Sequence, residues 1–160
     1  MIVLGLDPGT TESAIVGWDG AHITEASIIP NDYMCLHLEN NARGDVLVIE
    51  QVACMGKAAV GDTIHETSRW AGRFEQVWRT SQMLAEDTSR FKRIKRYAVK
   101  MHICGSMGAN DAKIRAALID RFGPPGNKKA KGITYGLKHD LWQAFALAVT
   151  AWDDLNKVQT

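Results

Sequence analysis

Apolar and polar residues alternate in recognisable blocks along the chain. Residues 2–7 (IVLGLD) form an apolar run that ends in an acid and meets Pro8-Gly9-Thr10-Thr11, the pattern of a buried strand entering a turn. Residues 13–18 (SAIVGW) predict a second strand and residues 21–29 (AHITEASII) a returning one. Asp19-Gly20 between them is a hairpin signal, because such turns need positive φ. Three consecutive antiparallel strands are therefore expected. Residues 31–41 suit a short helix starting at Asn31 or Asp32, and Asp45 to Val52 (DVLVIEQV) suits another buried strand with Glu50 near its end.

Over residues 60–79, Val60, Ile64, Trp70, Phe74, Val77 and Trp78 recur at helical spacing. In residues 92–100, Ile94, Tyr97 and Val99 stand among Lys92, Arg93, Lys95, Arg96 and Lys100, which predicts a strand exposed on one side. Asn110 or Asp111 is placed to cap a helix over 112–122, ended by Gly123-Pro124-Pro125-Gly126. Residues 123–138, rich in Gly, Pro and Lys, read as a mobile loop. A last helix over about 139–156 carries Leu141, Trp142, Phe145, Ala148, Val149 and Trp152. The order β-β-β-α-β-α-β-α-α predicts an α/β fold, a mixed sheet flanked by helices, with residues 1–160 forming one domain. There is no internal repeat and no interdomain linker.

Composition narrows the class. With 160 residues, 46% hydrophobic and 23% charged, the chain is large enough to bury a core and ordinary for a globular protein. No apolar run approaches the roughly 18–20 residues that span a bilayer, so no membrane association is expected. The N-terminus lacks the basic segment and cleavage site of a secretory leader. Cys35, Cys54 and Cys104 are odd in number and widely spaced, which argues against a disulfide framework and for a reducing, cytoplasmic compartment. The net charge of +1 hides a division. Residues 1–66 hold ten acids and two bases, a net of −8, whereas residues 67–160 hold seventeen bases and eight acids, a net of +9. The basic part suits a polyanionic partner, and the acidic part leaves carboxylates where a metal could sit. A solvated surface with segregated charge is the plainer alternative.

Three acids fall at element ends: Asp7 closes the first strand, Glu50 nears the end of the fourth, and Asp140 opens the last helix. A carboxylate in an apolar strand costs several kcal/mol unless it is paired or bound to a cation. Carboxylates gathered by the fold repel one another, and a hard divalent cation, magnesium or manganese, relieves that repulsion. Two such ions about 4 Å apart can activate water and stabilise the leaving oxygen of a phosphodiester. Alternatively, Asp7 only begins the turn and Glu50 pairs with an arginine.

His65-Glu66 begins an HExxR stretch that lacks the second histidine of a zinc protease. Cys35-Leu36-His37 and His102-Ile103-Cys104 have no CxxC partners and read as ordinary residues rather than zinc ligands. His139 adjoins Asp140 and could ligate metal, position water or act as general acid or base; a neighbour of the helix cap is the competing reading. Six cations lie between Arg90 and Lys100, suited to phosphates, and Lys128, Lys129, Lys131 and Lys138 offer a second contact. Trp70, Trp78, Phe91 and Tyr97 read first as core or subunit contacts and second as base-stacking groups. Ala71 and Gly72 permit close helix approach, so the 60–79 helix suits either a dimer contact or burial within one chain. The Asp-Pro-Gly-Thr-Thr opening also resembles the phosphate-binding start of sugar kinases and actin-like ATPases. Those need two related domains and a second motif, both missing here, so ATP binding is not expected.

Taken together, GLDPGT at 5–10 and VLVIEQV at 46–52 resemble the RuvC family of Holliday junction resolvases, within the ribonuclease H-like superfamily. VKMHICGSMGANDAKI at 99–114 and HDLWQAFALAVTAW at 139–152 extend the resemblance over nearly the whole chain. The compact form, with YGLKHDLWQAFALA near its end, looks more like phage-encoded versions, which would act in the host cytoplasm. The resemblance implies a ribonuclease H-like mixed five-stranded sheet and a homodimer. It also implies magnesium-dependent nicking of four-way DNA junctions in strands of like polarity, serving recombination and repair.

By this resemblance Asp7, Glu50 and Asp140 hold the metals, with manganese as a substitute, and His139 joins the catalytic group. Arg93, Lys95, Arg96, Lys100, Lys113, Lys128, Lys129 and Lys131 are the DNA-binding candidates; Lys100 and Lys113 fall near family lysine positions, at a stretched separation. The 60–79 helix matches the family's dimer helix. One departure stands out. The family's second acid on the last helix is Gln143 here, which leaves His139, Asp111 or water as the fourth ligand. A nuclease for flaps, forks or RNA–DNA hybrids, a junction-binding protein without catalysis, and a structural dimer with a decayed site are the alternatives.

Overall fold

The computed structural model describes residues 1–51, 61–82 and 89–157. Val52, Cys54 and Val60, named above, lie outside them. Ten elements are described: β1 (Val3–Asp7), β2 (Glu12–Trp18), β3 (Ile23–Pro30), α1 (Asn31–Asn40), β4 (Val46–Gln51), α2 (Asp62–Ser81), β5 (Phe91–Lys95), α3 (Arg96–Cys104), α4 (Asp111–Phe122) and α5 (Leu141–Lys157).

The strands form one mixed sheet in the order β3-β2-β1-β4-β5. β1, β2 and β3 pair antiparallel, and β4 and β5 join parallel to β1. Both faces of the central strands are buried, and strand periodicity sends alternate residues to opposite faces. Val3, Val16, Val46 and Val48 face a core built with α3, α4 and α5. Leu4, Leu6, Ile15, Leu47 and Ile49 face a second core with α1 and α2. Every residue from Leu141 to Ala151 is buried, so α5 lies along the sheet as a central helix.

The closest approach of α5 to the sheet is at Gly5. A Cβ there would overlap the carbonyl oxygen of Ala144 and the amide nitrogen of Ala148. The absent side chain lets the helix backbone lie against β1. The β2–β3 hairpin turns through Asp19-Gly20, with Gly20 at φ 100° and the Asp19 carboxylate accepting from the amides of Ala21 and His22.

The sequence pattern misses one element. Residues 92–100 do not form a single strand: β5 stops at Lys95 and α3 begins at once. The alternation of basic and apolar positions holds only through β5. Val99 and Ile103, four residues apart, then turn to the α5 core, and Gly105 ends the helix at φ 65°. The last helix starts at Leu141 rather than 139.

The 123–138 segment carries its own hydrogen bonds, contrary to the open loop expected. Gly126 bridges Lys131, the Gly132 amide donates to the Pro125 carbonyl, and the Asn127 side chain accepts from the amides of Lys129 and Ala130. It is a tight hairpin with Lys128 and Lys129 exposed near its tip.

Candidate active site

The positions of Asp7 and Glu50 follow from strand register. Val3, Leu4, Gly5 and Leu6 pair with Val46, Leu47, Val48 and Ile49. One step further, Asp7 and Glu50 end up on neighbouring parallel strands. Alternation turns both toward the α5 face, since Gly5 and Val48, two residues earlier, face that helix. Asp140 lies immediately before α5, whose first turn is held by the Asp140 carbonyl accepting from the amides of Gln143 and Ala144 at 3.0 Å. The preceding His139 has φ 44°, the left-handed region that non-glycine residues seldom occupy. Gly5 thus lets α5 lie close to β1, and the His139 turn brings the chain into the helix beside Asp7.

The turn after Asp7 is pinned from below. Buried Ser13 donates its hydroxyl to Asn31 Oδ1 at 2.6 Å, Asn31 Nδ2 donates to the Gly9 carbonyl, and the Gly9 amide donates to Ser13 Oγ. Asn31 is 2% exposed, so this network holds the Pro8–Thr11 turn at the mouth of β1.

Electrostatics shows that the acids form one group. Burial, then the charges of Glu50 and Asp140, push the Asp7 carboxyl up to about 8, against the pull of Arg96; Asp111 adds a smaller push. Burial also raises Glu50, opposed by Arg96 and, more weakly, Lys100. Asp7 on β1 therefore feels three other acids: Glu50 on β4, Asp140 just before α5 and Asp111 on α4. Among them stands Arg96, the first residue of α3. Its Nη1 donates to Glu50 Oε2 at 3.0 Å and its Nη2 to Asp111 Oδ1 at 2.5 Å.

The donor set suits a hard cation: it is all carboxylate oxygen, and burial together with the neighbouring charges raises the Asp7 carboxyl, a cost that a cation would relieve. As the side chains stand, no three His, Cys, Asp or Glu among the described residues are close enough to share an ion. Their counter-charge comes from Arg96. The alternative in which Glu50 pairs with an arginine is therefore realised, the partner being Arg96. Gln143 is buried on α5, one turn beyond Asp140.

The remaining candidates separate. Lys100 lies close enough to Glu50 to favour its charged form. Arg93 points to the other face and pairs with Glu75 of α2, which also holds Arg79. Lys95 sits over the ring of Tyr97, and Lys131 over that of Tyr135. Lys113, Lys128, Lys129 and Lys131 are exposed. Trp78 and Phe74 are buried within the chain, whereas Gly72 faces open space. The lone histidine pairs also have plain partners: His37 meets Glu25, and His102 meets Asp153 at 2.7 Å.

From sequence, Arg96 has only a phosphate-binding role, and Asp111 is a candidate helix cap and an alternative ligand. Their meeting at Glu50 depends on α3 starting at residue 96. The readable signal was Gly105, which marks a helix end and so a helix before it.

The mixed sheet with β1–β3 antiparallel, β4 and β5 parallel to β1, and helices on both faces is the ribonuclease H-like fold. Two solved structures of Thermus thermophilus RuvC share it. One, RuvC in complex with a Holliday junction substrate, aligns with TM-score 0.66 at 14% identity, covering 94% of this chain and 92% of that one. The other, a structure of RuvC, aligns with TM-score 0.64 at 15% identity, covering 98% and 96%. No family model and no curated protein matches the sequence.

Proposed function

We propose that this chain is a divalent-metal-dependent endonuclease that nicks four-way DNA junctions, acting as a homodimer. The observation that supports the reading is that the charges of Glu50 and Asp140 both reach the buried Asp7, in a fold shared with a RuvC solved in complex with a Holliday junction substrate. Asp7, Glu50 and Asp140 would hold magnesium or manganese, two ions at full occupancy, with His139, Asp111 or water as the further ligand. When bound, the metal supplies a nucleophilic water and charge stabilisation at phosphorus.

The rest of the chemistry belongs to the chain. Asp7 gives up its proton when a cation offsets its neighbours. Gly5 and the Ser13–Asn31 network hold the first carboxylate against the helix that brings the third. Lys100, beside Glu50, is placed to take a phosphate oxygen, and Lys113 with the Lys128–Lys131 hairpin extends a basic surface along the DNA. The exposed part of α2, including Gly72, would meet a second copy, and a two-fold axis would present two such sites, one for each of the two strands nicked.

The decisive experiment incubates the protein with a labelled immobile four-way junction, with and without magnesium, and maps the products. Paired nicks of like polarity that need the metal are expected. Cutting of flaps or RNA–DNA hybrids in preference to junctions would redirect the assignment to a broader nuclease, which the fold also supports. One observation favours a second reading. Because Arg96 neutralises Glu50 and Asp111, and Gln143 brings no charge, a junction-binding protein without catalysis has physical support. It would bind junctions in a salt-sensitive way and yield no product in magnesium.

A further inference from the structure

Arg96 occupies the electrostatic position a cation would take. It contacts two carboxylates from two elements, Glu50 on β4 at 3.0 Å and Asp111 on α4 at 2.5 Å, and its charge also reaches Asp7. The two anchors differ. The Glu50 side chain is 15% exposed and belongs to the site, while that of Asp111 is 65% exposed and lies at its rim. The guanidinium's planar fork lets it hold both at once, which a lysine ammonium on its single stem cannot match. Arg96 itself retains solvent access, with its side chain 36% exposed.

We infer that Arg96 is a built-in counter-cation that competes with the divalent metal for Glu50 and, when displaced, stays tethered to Asp111 to take a DNA phosphate. This rests on the metal-dependent reading above and adds a regulatory element to it. Without a divalent ion, the arginine offsets carboxylates that would otherwise repel one another. A divalent ion drawn to Glu50 would compete for this carboxylate with Arg96, whose Nη1 now donates to Glu50 Oε2. Release leaves the guanidinium held on one side by Asp111 and free on the other. A phosphodiester is the partner its free edge fits, since guanidinium pairs with phosphate as it does with carboxylate. DNA that captures the released arginine thereby favours metal loading, and by linkage metal favours DNA to the same degree. The site is weakly charged with metal alone and fully charged on its substrate.

The test is calorimetric titration of the free protein with Mn2+, comparing the natural chain with Arg96→Gln, Arg96→Lys and Arg93→Gln. Arg96→Gln should bind Mn2+ at least about tenfold more tightly, within the usual range of coupling between sites. Arg96→Lys should tighten it several-fold, because charge is kept but the fork is lost. Arg93→Gln, which removes a cation tied to Glu75 on the opposite face, should leave it unchanged.

Unchanged or weaker binding by Arg96→Gln overturns the inference while leaving the metal site standing. Arg96→Lys matching the natural chain while Arg96→Gln binds tighter also overturns it, in favour of bulk charge. Absence of binding by every variant removes the metal site itself, and the inference with it. Should Arg96→Gln not fold, the lysine variant decides alone.

Discussion

Replacing Asp7 with asparagine should make the protein more stable and abolish its cutting. The carboxyl titrates at about 8 in the folded chain against 3.8 unfolded, with burial the largest cause and the charges of Glu50 and Asp140 next. The folded state therefore holds this proton more tightly than the unfolded state does. For this group, stability is greatest below pH 3.8, falls as pH rises toward 8, and is level above it. Each pKa unit corresponds to about 1.4 kcal/mol, so the full penalty at high pH is about 5–6 kcal/mol, and about 4 kcal/mol at pH 7. Asp7 keeps some contact with solvent, so these are upper bounds, and about 2–4 kcal/mol is the expected gain.

Asparagine resembles the protonated carboxyl in shape and carries no charge, so Asp7→Asn removes the penalty. For a domain of this size that gain raises the melting temperature by roughly 5–15 °C. The assay is thermal unfolding of both proteins in EDTA at pH 5 and pH 8. The variant should melt higher at pH 8, by a margin that shrinks at pH 5. Magnesium should raise the natural chain more than the variant. A variant that melts at or below the natural chain at pH 8, or a margin that does not grow with pH, would refute the reasoning.

Four further outcomes follow from the geometry. Gly5→Ala places a methyl in the Ala144 and Ala148 backbone, so it should cost about 3 kcal/mol or more in urea unfolding and separate Asp7 from Asp140, removing activity. Asn31→Ala breaks the buried network below the Pro8–Thr11 turn and should cost about 1–3 kcal/mol in the same assay. Asp153 is raised by burial yet held below its ordinary value overall by Arg121 and His102. Its contribution is present above about pH 4 and lost as pH falls through its lowered pKa, so Asp153→Asn should lower the melting temperature at pH 6, by a margin that shrinks steadily as the pH is taken below 3.8. Changing Lys128 and Lys129 together to alanine should weaken junction binding for all sequences and reduce the salt slope by about 2 in a titration series.

The acids at strand ends were readable because apolar strands tolerate a carboxylate only where something compensates it. Asp7 and Glu50 stand out against IVLGLD and VLVIEQ for that reason, and alternation alone turns them the same way once the strands are parallel. The central helix was legible from its apolar density between Leu141 and Trp152. Arg96 was not legible as a site residue, since among Lys92, Arg93 and Lys95 it looks like one more surface cation. Its role depends on two tertiary facts, the β4–β5 register that sets Ile94 beside Glu50 and the helix that starts two residues later. Arg93 shows the converse: the same pattern suggested phosphate, and the fold spends it on Glu75. No local rule separates the two arginines, because they differ only in which face of the sheet they reach.

The placement of α5 also bears on when the chain can finish folding. During synthesis the first two carboxylates emerge early, but the core that β1, β2 and β4 share with α3 and α4 lacks its central helix until residues 141–151 leave the ribosome. The third acid arrives with that same segment. A chain that stops before α5 therefore has neither a finished interior nor Asp140, and should be unstable. Docking of α5 on the sheet and the gathering of these acids are one event.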